Sequence, residues 1–142
     1  MHSIRLRGPW SYEVLSRLDG GSDLPPPGKQ KMPADWSLTL GKDFHGVVRY
    51  RRTFHSPTGL EAGQGVWLVV EGVRSRAEVS LNDHQLAATC GLAAERSPIE
   101  HLLSQTNHLI IDVEHMPTDE GCGGLSGEVR LEIQTVLPRP VD

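Results

Sequence analysis

The sequence VVRYRRTF at residues 47–54 decides the fold class of this chain. Along an extended backbone, successive side chains point to opposite faces. One face carries Val48, Tyr50, Arg52 and Phe54, and the other carries Val47, Arg49, Arg51 and Thr53. A period of two with one mainly apolar face is typical of a half-buried β-strand. We therefore predict a strand with Arg49 and Arg51 on its polar face, and with Arg52 half buried and in need of a carboxylate partner.

Segments with a similar pattern occur along most of the chain. Further strands are predicted at residues 4–7, 10–15, 65–71, 77–81, 84–86, 109–113 and 128–136, the first two as a pair. Residues 65–71 are almost continuously apolar, which favours a central strand with Trp67 in the core. About eight short strands without an amphipathic helix predict an all-β fold, a jelly-roll sandwich of mainly antiparallel strands.

The connections are predicted from glycine, proline and asparagine. Residues 19–33 contain Gly20-Gly21 and Pro25-Pro26-Pro27, so we expect a long surface loop without a regular element. Asn82-Asp83 predicts a tight hairpin reversal, and residues 99–103 predict a single helical turn. Because 142 residues is the usual size of one domain, the whole chain is expected to form a single unit, residues 1–142.

Composition and charge limit the partners. Hydrophobic residues make up 37% of the chain, and its net charge of -4 offers no basic surface for nucleic acid. The longest apolar run, residues 66–70, is far shorter than the roughly 20 residues that cross a bilayer. Residues 1–7 lack the apolar core of a secretory signal. We therefore expect a cytoplasmic protein that contacts neither nucleic acid nor membrane.

The two cysteines, Cys90 and Cys122, are too few for a disulfide framework and are expected to be free thiols. Cys122 lies among glycines, where a nearby histidine could in principle activate its thiol. A turn before the last strand explains these glycines better. The sequence contains no G-x-S-x-G elbow, no P-loop and no dinucleotide fingerprint, so no catalytic residue is predicted.

Histidines and acidic residues give little support to a metal site. His101, His108 and His115 repeat every seven residues, but on a strand this spacing places neighbours on opposite faces. No zinc site is therefore predicted. No cofactor is expected either, and a structural calcium ion would have only Asp119 and Glu120 as candidate carboxylates.

Several short signatures occur in a characteristic order. They are Trp36 upstream of Phe44-His45-Gly46, then Tyr50-Arg51-Arg52, and then residues 71–82, 107–113 and 123–131. Together they resemble the N-terminal sugar-binding domain of family 2 glycoside hydrolases, the β-galactosidase and β-glucuronidase group. The resemblance spans roughly residues 36–133 and implies a galactose-binding-like jelly roll. The family's Asp-Ile-Thr step is replaced here by residues 99–103, so ligand contacts near that step are not carried over.

The resemblance also bears on catalysis. Family 2 enzymes hydrolyse β-glycosides with two carboxylates held in a separate barrel domain. Such a barrel takes roughly 250 residues, and a retaining mechanism needs its two carboxyl groups about 5 to 5.5 Å apart. The part that this chain resembles is an accessory domain. The resemblance therefore implies a carbohydrate-associated sandwich and argues against a hydrolase.

A sugar site needs an apolar face for the ring, usually an aromatic side chain. The candidates are Trp36, Trp10 and Tyr12. Trp36 follows the Pro-rich loop, and Trp10 and Tyr12 share one face of a predicted strand. Packing in the core is the competing interpretation for all three.

Polar groups must also fix the sugar hydroxyls. The candidates are Arg49, Arg51 and Asp112, together with Glu114. The competing interpretation is a solvated sheet face with cross-strand ion pairs of little energetic value.

Two functions remain open, because a fold alone does not decide between them. The first is non-catalytic binding of carbohydrate, including β-linked glycosides. The second is a structural or protein-interaction module on the same fold, as a homodimer or with a separate catalytic partner. An exposed aromatic beside two or more convergent polar side chains would favour the first, and a flat apolar patch with a polar rim would favour the second.

Overall fold

The fold is built from short β-strands. The computed structural model describes residues 2–18, 23–41, 43–71, 73, 76–90, 95–117, 119, 123–125 and 127–135, with the backbone alone at 87–90. Within these residues the strands are β1 (His2–Arg5), β2 (Trp10–Arg17), β3 (Gly28–Gln30), β4 (Ala34–Asp35), β5 (Gly46–His55), β6 (Gln64–Val70), β7 (Arg76–Leu81), β8 (His84–Cys90), β9 (Glu95–Pro98), β10 (Thr106–His115), β11 (Gly124–Leu125) and β12 (Val129–Thr135). A single 3-10 turn, Glu100–Leu102, is the one helical element of the described chain, and it confirms the turn predicted at residues 99–103.

Two antiparallel sheets form the layers of a sandwich. The larger has six strands in the order β3-β2-β5-β10-β7-β8, and the smaller has four in the order β1-β12-β6-β9. Strands β4 and β11 form a separate short pair. The inner faces of both sheets supply the core: Tyr50 and Ile111 from the larger, and Leu68 and Leu131 from the smaller, are at most 2% exposed. The prediction of an all-β sandwich of mainly antiparallel strands is confirmed.

Strands β5 and β10 form the middle of the larger sheet. They pair in one continuous register, from His55 opposite Thr106 to Gly46 opposite His115. Val48 and Tyr50 of β5 face the core, whereas the intervening Arg49 lies on the outer face. The alternation predicted for residues 47–54 is therefore confirmed.

Strand β6 corrects one prediction. Val66, Leu68 and Val70 face the core and are at most 3% exposed, whereas Trp67 lies half buried on the opposite face. The assignment of Trp67 to the core is wrong. Because side chains alternate along a strand, one of two neighbouring apolar residues must face outward, and the apolar run did not indicate which.

The beginning of the chain differs from expectation in its pairing. Strands β1 and β2 do not pair with each other: β1 joins β12 in the smaller sheet, and β2 joins β5 and β3 in the larger. The loop predicted at residues 19–33 contains the edge strand β3, which pairs with the first residues of β2. Gly28 allows this close approach, since a Cβ there would lie 2.7 Å from the Tyr12 hydroxyl oxygen. Residues 19–22 lie outside the described chain.

The β7–β8 hairpin turns at Asn82 and Asp83, as predicted. Both residues have positive φ angles, 50° and 68°. Asparagine and aspartate adopt this left-handed conformation more readily than most residues, and two such residues in succession form the turn that suits a twisted hairpin.

Asn107 ties together one end of the larger sheet. Its side chain is 0% exposed, and its Oδ1 accepts hydrogen bonds from Ser104 N at 2.8 Å and Asn82 Nδ2 at 3.0 Å. Its Nδ2 donates to Phe54 O at 3.3 Å, Ser56 Oγ at 3.0 Å and Ser104 O at 3.0 Å. One buried amide thereby links the end of β5, the β7–β8 turn and the segment before β10.

Replacement of this amide should destabilise the fold. We expect Asn107→Ala to lower the free energy of unfolding by about 3 kcal/mol, because one buried and several partly buried donors and acceptors lose their partner. Urea denaturation followed by circular dichroism measures the loss. Gln105→Ala is the control, since Gln105 is exposed and its backbone contacts remain in the variant. Equal stability of the two variants would contradict the structural role of Asn107.

Candidate functional site

The outer face of the larger sheet carries a row of charged side chains on four adjacent strands. The register places Glu13 beside Arg49, Arg49 beside Asp112, and Asp112 beside Glu78. Opposite charges on directly paired residues attract, and like charges repel. The row holds one cation among three carboxylates, so Arg49 is the residue around which it is organised.

Arg49 and Asp112 form a two-pronged ion pair. Nε donates to Oδ1 at 2.8 Å and Nη2 donates to Oδ2 at 3.0 Å. The pair is partly exposed, with 34% of the Arg49 side chain and 21% of the Asp112 side chain accessible. The hydrogen bonds from Arg49 to Asp112, and then the charge of Asp112, hold the pKa of Arg49 above its ordinary value. The guanidinium is therefore a permanent cation with a fixed orientation.

A shallow cavity of about 210 Å³ adjoins this pair. It is lined by Arg49, Glu78, Val79, Ser80, Gln85 and Asp112. The lining combines donors and acceptors, and a sugar hydroxyl requires both because it donates one hydrogen bond and accepts others. Within the described residues the lining includes no aromatic side chain.

Arg51 lies on the same outer face, two residues along β5. Its Nη2 is 3.6 Å from Glu13 Oε1, and both side chains are close to half exposed. An exposed ion pair of this length contributes at most about 1 kcal/mol. Arg51 can therefore turn from Glu13 to a ligand at little cost.

Trp10 and Trp36, two of the predicted stacking residues, lie in the core. Both are 0% exposed. Trp10 Nε1 donates to Leu6 O at 2.8 Å, and Trp36 packs edge-on against Phe44 with 5.4 Å between ring centroids. An indole without exposed surface cannot stack on a saccharide, so the structure contradicts this role for both tryptophans. The apolar contacts of the sandwich take up their rings instead.

Two aromatic side chains keep some exposed surface. Tyr12 is half buried and packs toward the core, with its ring centroid 6.5 Å from that of Tyr50. Trp67 lies on the outer face of the smaller sheet, with the Arg96 guanidinium 4.8 Å from its ring centroid. This distance is within the range of a cation–π contact. Trp67 is thus a half-buried aromatic on the outer face that sequence reasoning missed, although its place between the core residues Val66 and Leu68 was an available signal.

Beside Trp67 lies a network of ion pairs. Glu132, 6% exposed, accepts hydrogen bonds from Arg96 Nε at 3.2 Å and from Arg130 Nε at 2.9 Å. Arg130 Nη1 donates to Glu71 Oε1 at 2.6 Å. This bond to Glu71 is the largest reason that the pKa of Arg130 lies above its ordinary value. We call the surface formed by Trp67, Arg96, Arg130, Glu132 and Glu71 the Trp67 face.

The remaining candidates concern metal and thiol chemistry. Within the described residues no group of three or more His, Cys, Asp or Glu could hold a metal ion. Asp119 accepts a hydrogen bond from Met116 N at 2.7 Å, which closes a turn. Glu120, Cys122 and the side chain of Cys90 lie outside the described part.

No helix of the described chain is long and apolar enough to cross a membrane.

The fold is that of a galactose-binding-like sandwich. The family model described as glycosyl hydrolase 2 galactose-binding domain-like matches residues 44–121, more than half of the chain. The chain belongs to this family. This confirms the resemblance drawn from the sequence signatures. No curated protein matches the chain.

Solved structures agree on the fold. An FMN-binding β-glucuronidase from Faecalibacterium prausnitzii superposes with a TM-score of 0.76 and 23% identity, over 93% of this chain and 22% of that one. A β-glucuronidase from an uncultured Clostridium superposes with a TM-score of 0.74 and 19% identity, over 94% of this chain and 29% of that one. A β-glycosidase from Bacteroides vulgatus superposes with a TM-score of 0.74 and 20% identity, over 95% of this chain and 20% of that one. The chain thus spans between a fifth and three tenths of the length of these three proteins.

The different positions of the three tryptophans predict a fluorescence result. Neutral acrylamide should readily quench the emission of Trp67, which is half buried, and should quench Trp10 and Trp36 much less. In Trp67→Phe the readily quenched component should disappear, while Trp10→Phe should retain it if folded. Retention of that component in Trp67→Phe would place an exposed indole elsewhere.

Proposed function

We propose that this chain is a non-catalytic carbohydrate-binding module that holds a sugar, including the sugar of a β-linked glycoside, at the Arg49–Asp112 pair. Membership of the glycosyl hydrolase 2 galactose-binding domain-like family supports the ligand class. The observation that carries the proposal is the partly exposed fork of Arg49 on Asp112 beside a polar cavity. A rigid fork with donors and acceptors around it recognises hydroxyl groups in defined positions.

Each side chain of the cavity has a separate task in this proposal. Asp112 orients the Arg49 guanidinium, whose remaining N–H groups donate to sugar hydroxyl oxygens. Glu78 accepts from sugar hydroxyl groups, and Ser80 and Gln85 can do either. Because the described lining of the cavity includes no aromatic side chain and a net hydrogen bond contributes only about 0.5–1.5 kcal/mol, we expect a Kd on the order of 0.1–1 mM.

The part of the family that this chain resembles supports the non-catalytic role in this proposal. The matched solved proteins are named as β-glucuronidases or a β-glycosidase, and this chain corresponds to a minor share of each. Both carboxylate oxygens of Asp112 accept hydrogen bonds from Arg49, and this arrangement suits the binding of a ligand rather than catalysis by Asp112. The proposal therefore assigns no catalytic residue.

A binding experiment tests this site. A glycan array followed by isothermal titration calorimetry should detect a β-linked saccharide, and Arg49→Ala and Asp112→Ala should each weaken its binding about 10-fold or more. The matched control is Arg96→Ala, which removes an arginine–carboxylate pair from the other sheet. It should bind as the unchanged protein does. Absence of binding to every glycan by the folded protein, or equal weakening in the control, would contradict the proposal.

A second candidate function, self-association, is favoured by the Trp67 face. This surface combines a half-buried tryptophan with arginines and glutamates on neighbouring strands. A two-fold interface brings the same patch of both copies together, so a patch with both signs of charge can complement itself. The occupant that we assign to this surface is therefore a second copy of the chain.

The mass in solution tests this second candidate. Size-exclusion chromatography with light scattering should show a concentration-dependent dimer, which Trp67→Ser and Arg96→Ala should shift toward the monomer. Arg49→Ala, on the opposite sheet, is the control and should leave the dimer intact. A monomer at all concentrations, or a dimer unaffected by both variants on the Trp67 face, would contradict self-association through this surface.

A further inference from the structure

Three adjoining grooves meet at Arg52 and Thr53, near the end of β5. Their volumes are about 440, 310 and 270 Å³. Their basic lining residues are Arg5, Lys29, Arg51, Arg52, His55 and His108. None of the lining residues among the described part of the chain is an aspartate or a glutamate. In a chain of net charge -4, this gathers basic side chains around three neighbouring grooves.

Arg52 is the charged residue among the two, Arg52 and Thr53, that line all three grooves. Its side chain is half buried, its Nη1 donates to Thr53 O, and its Nε is buried without a hydrogen-bond partner. The prediction that Arg52 has a carboxylate partner is wrong within the described residues, since the residue opposite Arg52 on β10 is Leu109. A buried N–H without an acceptor costs about 1–3 kcal/mol, and an arginine cannot lose its charge to avoid that cost.

The other two arginines that line these grooves each contact an acidic side chain. Arg5 Nε lies 2.9 Å from Glu128 Oε2, and Arg51 makes the long contact of 3.6 Å with Glu13. Arg52 therefore differs from both in having no acidic side chain within the described residues as an ion-pair partner. An anion in these grooves would meet, in Arg52, a cation that no acidic side chain of the described residues neutralises.

We propose that these grooves bind the anionic group of an acidic saccharide, a carboxylate or a sulfate ester, through Arg52. The inference rests on the proposed function, because the sugar class comes from that proposal. Arg51 connects the two sites: it lines two of the grooves and lies two residues from Arg49 on the same face of β5. Ser80 lines the cavity at Arg49 and pairs with Ile110 of β10. Ile110 in turn lines one groove and pairs with Arg51. The groove lined by Arg51 and Ile110 therefore adjoins the cavity at Arg49 on the outer face of the sheet.

Matched sugars test the proposal by titration calorimetry. Methyl β-D-glucuronide and methyl β-D-glucoside differ only in a carboxylate against a hydroxymethyl group, and glucose 6-sulfate and free glucose form the corresponding sulfate pair. We expect at least one anionic sugar to bind about 10-fold more tightly than its neutral partner, as for one charge-assisted interaction. This preference should fall as salt increases, because screening weakens an exposed ionic contact.

Variants assign the preference to Arg52. Arg52→Gln should reduce it to less than about 2-fold, and Arg52→Lys should retain part of it, since lysine keeps the charge but lacks the planar fork. Arg76→Gln is the charge-matched control, since Arg76 is exposed and lines none of the three grooves. Arg52→Met should unfold at the same or a higher temperature, because it removes a donor that lacks a partner. This separates loss of binding from loss of folding.

The outcomes are distinguishable. Equal binding of the anionic and neutral sugars would overturn the acidic-saccharide inference and leave the carbohydrate-binding function standing. A preference that survives in Arg52→Gln would also overturn it. Binding of inorganic sulfate with no binding of any sugar would overturn both the inference and the proposed function. Anionic preference lost in Arg52→Gln and kept in Arg76→Gln would support both.

Discussion

The structure depends most on the antiparallel pairing of β5 with β10. This pairing is continuous, and it decides for both strands which side chains enter the core and which face outward. A slip of one residue would move Arg49 and Asp112 into the core and expose Tyr50 and Ile111. The buried Asn107 amide fixes one end of the pair through hydrogen bonds to three neighbouring segments. Packing and polar contacts therefore favour the same register.

The same constraint produces the candidate site. Core packing on the inner face leaves the outer face free to hold charged residues, and the register places Arg49 between two carboxylates. The Arg49–Asp112 fork is rigid because it belongs to the two central strands of the larger sheet. A binding group on such strands is held more firmly than one on a loop. Arg52 lies on the inward face of the same strand, and its buried Nε finds no acceptor among the described residues.

Much of the fold was predictable because it follows from local rules. The alternation of residues 47–54, the hairpin at Asn82 and Asp83, and the single turn near residue 100 all reflect short-range backbone preferences. Partners of strands were less predictable, since β1 and β2 follow each other in sequence but enter different sheets. Strand β3 was missed because glycine and proline weaken a strand, while pairing with β2 and contact with Tyr12 compensate.

The sequence by itself determined the all-β class, the family and the polar face that carries Arg49, Arg51 and Asp112, because these depend on a period of two and on short signatures. The tertiary structure alone decided the exposure of each aromatic ring: Trp10 and Trp36 are buried and Trp67 is not. It also decided that Arg52 lacks an acidic partner in the described chain. Burial and charge pairing depend on which distant strands meet, and this is set by the packing of the two sheets rather than by local sequence.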